Sequence, residues 1–96
     1  MTNNTSDIVS QLEIVIEKLH YQKRNEAYNV LNMTIDKLFL LFEEISNKET
    51  AVVKITDVNK YLVQCLEAME KQDDILMADI LEYEIIPRLL ELGDSV

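Results

Sequence analysis

Tyr28, Leu31, Ile35, Leu38, Phe42 and Ile45 recur at steps of three and four, so six large apolar side chains fall along one face of a helix. Such a stripe is stable in water only when another helix covers it, which commits the chain to helix packed on helix. Breakers are nearly absent. Gly93 and Pro87 are the single glycine and the single proline, far fewer than the turns of an all-β fold require. Ninety-six residues with 48% hydrophobic content suit one domain around one core. The predicted fold class is all-α, a four-helix bundle built from two helical hairpins.

Met1 to Thr5 are polar and without period, so residues 1–5 are expected to be a disordered N-terminus and residues 6–96 a single helical-bundle domain. Ser6 or Asp7 is a suitable cap for a first helix with Ile8, Leu12, Val15, Ile16 and Leu19 on its apolar face. Tyr21 to Arg24 is a polar break, after which Asn25 is expected to cap the striped second helix, ending near Ser46 or Asn47. Asn47 to Ile55 is predicted as a loop, with Val52, Val53 and Ile55 folded over the bundle as a flap. Thr56 is then the expected cap of a third helix whose buried stripe is Val58, Leu62, Cys65, Leu66 and Met69.

Lys71 to Asp73 makes the next turn, and a fourth helix follows from about Asp74 to Leu92. Pro87 lies inside it, lacking the N–H that would pair with the Tyr83 carbonyl, so this last helix is expected to be kinked or broken there. Gly93 suits a left-handed stop. A shift of 47 positions lays Ile16, Leu19, Tyr28, Met33, Leu38, Phe42 and Ile45 on Val63, Leu66, Ile75, Ile80, Ile85, Leu89 and Leu92, which supports two hairpins without proving a duplication.

Eighteen acids against nine bases give a net charge of −9. That sign repels the phosphates of nucleic acid and the anionic face of a membrane, so neither is an expected partner. The acidity is uneven: residues 1–48 carry seven acids and five bases, residues 49–96 eleven and four. Cys65 is alone and the start is polar rather than like a signal peptide, which places the expected chain in the cytoplasm.

Few groups point to chemistry. Glu17 and His20 have the Glu-x-x-His spacing of di-iron bundles, in which one helical turn presents both ligands to the same metal. His20 is the only histidine, so such a site would need further acids, and the acidic fourth helix is the available source. Asp79 and Glu82 lie one turn apart there but outside any calcium-loop pattern, while Asp73 and Asp74 read as helix-start acids. Cys65 has apolar neighbours at helical spacing and reads as core. Glycine-rich phosphate loops and nucleophile elbows are missing from the sequence. No catalytic residue and no cofactor are expected.

The stretch Asp79-Ile80-Leu81-Glu82-Tyr83-Glu84-Ile85-Ile86-Pro87, preceded by Glu70-Lys71-Gln72-Asp73-Asp74, resembles the C-terminal signature of a family of small acidic all-helical proteins from Gram-positive, spore-forming bacteria. That resemblance covers about a third of the chain. It implies a cytoplasmic helical bundle with structural roles for Tyr83 and Pro87, and transfers no catalytic residue. In size, acidity and helical content the chain is also similar to export chaperones of flagella and secretion systems, by analogy of fold class and charge. The expected function is a non-enzymatic protein-interaction module, self-associating or holding a partner segment on an apolar helix face. The alternative is a bundle binding a small ligand or a metal through Glu17, His20 and the fourth helix. Candidate interface residues are Tyr28, Leu31, Ile35, Leu38, Phe42, Ile86 and Leu90.

Overall fold

The structure, a computed structural model, describes residues 4–46 and 49–95. Helices α1 (Asn4–His20), α2 (Arg24–Ile45) and α3 (Glu49–Glu70) are followed by a fourth rod. That rod consists of α4 (Asp74–Ile80), a π-helical stretch (Leu81–Ile85) and α5 (Ile86–Ser95), joined without interruption. No strand occurs among the described residues. A 22-residue helix such as α2 is about 33 Å long at ~1.5 Å per residue, close to the 38 Å longest dimension of the molecule. The other two dimensions, 25 and 19 Å, each fit about two helix diameters of ~10 Å. The rods therefore run side by side, two by two: an all-α four-helix bundle. Each touches its ring neighbours, and α2 and α3 touch least.

The apolar periodicity marks the core correctly. Ile8, Leu12, Val15, Ile16 and Leu19 of α1 are buried, as are Leu31, Leu38, Phe42 and Ile45 of α2. They meet Val58, Leu62 and Cys65 of α3 and Met77, Leu81, Ile85, Leu89 and Leu92 of the fourth rod in one cluster. Thr34, like Thr5, is a buried polar residue. Its hydroxyl donates to the Val30 carbonyl at 2.7 Å and lies 2.9 Å from Gln11 Oε1, so burial leaves it satisfied.

Several expected boundaries are corrected. Asn4 and Thr5 already belong to α1, and Thr5 is buried; Met1 to Asn3 of the expected disordered segment lie outside the described residues. The predicted loop is largely helix: α3 starts at Glu49, while Asn47 and Lys48 lie outside the described residues. Val52, Ile55, Asn59, Leu62 and Leu66 continue one helical period backwards, so the first turns of α3 extend the stripe. Thr56 caps nothing; its hydroxyl donates to the Val52 carbonyl one turn back at 2.9 Å. Asn25 lies inside α2, and the cap position is Lys23, without a side-chain cap bond. Gly93 is passed by α5, which continues to Ser95.

The left-handed stops come instead at Gln22 (φ 60°) and Gln72 (φ 57°). Around them the two turns are the same structure. Lys23 N–H donates to the Lys18 carbonyl and Gln22 N–H to Leu19; Asp73 N–H donates to Ala68 and Gln72 N–H to Met69. These paired bonds to the fifth and third residues back close each helix with a Schellman motif, which satisfies two terminal carbonyls and outweighs the roughly 1 kcal/mol of placing glutamine in the left-handed region. The hairpins are thus related by 50 positions, not 47. Asp7, Leu12, Glu17, Gln22 and Leu31 coincide with Asp57, Leu62, Glu67, Gln72 and Leu81 in that register.

The register changes once. Buried positions run 31, 34, 38 and 41 in α2 but 81, 85, 89 and 92 in the fourth rod, so beyond Leu81 the equivalence is 51. The extra residue is the π-helical stretch, where Ile86 N–H reaches back five residues to the Leu81 carbonyl. The widened turn lies just before Pro87, and α5 runs through the proline from Ile86 to Ser95. Arg88 donates to the Glu84 carbonyl at 3.0 Å and to its Oε1 at 3.1 Å, adding donors beside the one that proline lacks.

Candidate functional site

At the end of the bundle where the two turns meet, Arg24 Nε donates to Asp74 Oδ2 at 2.9 Å and Arg24 Nη2 reaches the same oxygen at 2.9 Å. The Tyr28 hydroxyl donates to Asp74 Oδ1 at 3.1 Å. Asp74 holds the Arg24 guanidinium above its ordinary pKa, chiefly through that hydrogen bond. Burial, then the Asp74 carboxylate, pushes the Tyr28 phenol up as well. Asp73 accepts from Leu76 N–H at 3.1 Å, as a helix-start acid should. This cluster fastens the hairpins together; its groups satisfy one another.

Glu17 and His20 line a cleft of about 420 Å3 between α1 and the fourth rod, together with Glu13, Glu82 and Ile86. The fold thus brings one acid of the fourth rod to the expected pair. Even so, among the described residues no group of three or more His, Cys, Asp or Glu side chains is arranged to hold a metal ion.

Cys65 is fully buried, and burial pushes its thiol up to about 12. At neutral pH it is therefore protonated and a poor nucleophile. Native protein is expected to leave Cys65 unlabelled by a thiol reagent for as long as it stays folded, with labelling restored by denaturant. The folded state keeps its proton where the unfolded chain has lost one, so stability should fall as pH rises from about 9 towards 12. Labelling of the native protein at the rate of a free thiol would show that α3 does not pack as described.

The interface candidates divide. Leu31, Leu38 and Phe42 are interior, a correction: their stripe is covered by the other rods of the same chain. Tyr28, Ile35 and Ile86 are half-buried against the core, and Leu90 is exposed. Sequence reasoning missed the flank of the stripe. Tyr28, Ile35 and Phe39 follow one side of α2, and the 3.4 Å approach of the Tyr28 hydroxyl to the Met69 carbonyl shows that Tyr28 on this side faces α3. On α3, Tyr61 stacks under the Arg88 guanidinium at 4.4 Å, which turns that side toward α5. Ile55 and Leu66 flank the core stripe of α3 on the side away from Tyr61, and Val52 (47%) and Val63 (54%) lie further round, exposed like Phe39 (50%) of α2. The α2–α3 seam is the loosest of the ring. A signal existed in the sequence: Phe39 lies four residues beyond Ile35, one step to the side of the main stripe.

A second surface lies between α3 and the fourth rod, where a groove of about 490 Å3 is lined by Ala68, Leu76, Ile80 and Tyr83, with Glu67, Asp79 and Glu84 beside them. No helix among the described residues is long and apolar enough to cross a membrane.

The fold defines a small acidic all-helical bundle. The chain belongs to the family described as Domain of unknown function (DUF8042), whose model matches residues 2–95. No curated protein and no solved structure matches it.

Proposed function

We propose that this protein is a non-enzymatic interaction module, an adaptor or chaperone-like bundle of the bacterial cytoplasm, that holds a partner segment along the seam between α2 and α3. The observation that carries this reading is the seam itself. Of the ring neighbours α2 and α3 touch least, and Phe39, Val52 and Val63 on these two helices stand half in water beside half-buried Ile35, Ile55 and Leu66. Apolar side chains left half in water on neighbouring helices suit the apolar face of an added amphipathic helix. Burying the exposed half of three such side chains is worth about 1 kcal/mol each before the costs of association.

Phe39→Glu and Val63→Glu change exposed positions, so each variant should keep its melting temperature within a few degrees. Each should also lose at least tenfold in partner retention when immobilised protein is exposed to cytosol of the native host. If both folded variants retain the same species as the wild type, the seam is not the binding surface. Sedimentation equilibrium on the same three proteins identifies a second copy as the occupant if only the wild type dimerises.

A further inference from the structure

The near-repeat of the two hairpins provides an internal comparison. In the first hairpin, Lys18 of α1 crosses to Glu26 of α2 at 3.3 Å and covers the line between the two helices. The equivalent positions in the second hairpin, 50 residues on, are Ala68 and Leu76. These two side chains cannot form an ion pair across the helices. Ala68 is short and buried, so the groove of about 490 Å3 opens above it, with Leu76 (45% exposed) and Tyr83 (67% exposed) on its wall. Tyr83 belongs to the π-helical stretch, the point at which the fourth rod carries one residue more than α2.

The charge around this groove is mainly negative. Glu67, Asp79 and Glu84 line it against the single cation Lys71, and only Glu84 is neutralised, by Arg88 at 3.1 Å. Among the described residues Glu67 and Asp79 have no ion-pair partner. From Leu76 to Tyr83 is two helical turns, about 10 Å at ~1.5 Å per residue. We infer that the groove between α3 and the fourth rod is a docking site for a cationic amphipathic helix of another protein, with its apolar side chains against Leu76, Ile80 and Tyr83 and its Lys or Arg residues beside Glu67 and Asp79. An apolar floor between acids suits that chemistry: the cations of the incoming helix find unpaired carboxylates while its stripe leaves water. The site is separate from the α2–α3 seam and stands without it.

The test transplants the closure of the first hairpin into the second. Ala68→Lys with Leu76→Glu recreates the Lys18–Glu26 crossing, leaves the net charge at −9 and should fold, because the first hairpin already folds around that pair. The probe is an 18-residue leucine–lysine peptide with leucines at i, i+3, i+4 and i+7, its binding read by fluorescence anisotropy and its helicity by circular dichroism. The expected result is that wild-type protein binds the peptide and raises its helicity, that the double variant binds at least tenfold more weakly, and that Tyr83→Ala weakens binding several-fold at unchanged melting temperature. Phe39→Glu should bind the peptide as wild type does, which separates this groove from the seam. Equal binding by wild type and folded double variant would overturn the assignment, as would equal binding of a leucine–glutamate peptide of the same pattern.

Discussion

Deleting Asn32 abolishes cooperative unfolding, whereas deleting Tyr83 in a Pro87→Ala background leaves a folded bundle. Both residues are exposed and both lie in the middle of a long helix, so a reading based on burial alone expects equal effects. The difference comes from register. Removing Asn32 turns everything after it by about 100°, which swings Leu38 and Leu41 out of the core and brings polar neighbours in. Each displaced side chain forfeits about 1.5–3 kcal/mol, and several together exceed the roughly 5–15 kcal/mol that such a domain has in total. Removing Tyr83 instead takes out the extra residue of the π-helical stretch. The buried positions of the fourth rod then acquire the 3, 4, 3 spacing that Leu31, Thr34, Leu38 and Leu41 already show in α2.

Pro87 opposes that change, because a regular α-helix would set its ring against the carbonyl four residues back, at about 3 kcal/mol. The Tyr83 deletion alone should therefore be about 3 kcal/mol less stable than the deletion combined with Pro87→Ala. Urea denaturation followed by circular dichroism, on the wild type and the three variants, checks both expectations. An unfolded double change would mean that the π-helical stretch is required by the packing and is not an accommodated insertion.

Leu38→Asp yields an unfolded chain, while Leu90→Asp costs less than about 1 kcal/mol, although both positions belong to apolar helix faces. Leu38 is 0% exposed at the centre of the core, so even Leu38→Ala removes about 2–5 kcal/mol through lost burial and the cavity left behind. A carboxylate there adds the cost of an unpaired buried charge, several kcal/mol more. Leu90 sits on the outer side of α5 and can be replaced without opening the bundle. A folded Leu38→Asp variant would place the stripe of α2 on a surface and return Leu31, Leu38 and Phe42 to the interface.

The candidate surfaces were only half legible in the sequence because periodicity reports the centre of a buried face better than its edges. Leu31 and Leu38 announce themselves by spacing. Phe39 and Val63 lie where a face meets its neighbour, and their exposure depends on how closely α2 and α3 approach. Glu17 and His20 share a recognisable spacing, but which residues of the fourth rod stand opposite them depends on the position of another helix more than 60 residues away.

By itself the sequence determined the class of fold, the turn at Lys71 to Asp73, the turn expected at Tyr21 to Arg24 to within one residue, and most of the core. These follow from local pattern, since a helical period states which side chains have to leave water whatever they are packed against. Tertiary structure alone decided the early start of α3, the one-residue insertion in the fourth rod, the Arg24–Asp74 fastening and the open seam and groove. Each of these depends on the relative placement of helices distant in sequence, and that placement is set by mutual packing of side chains that no local period records.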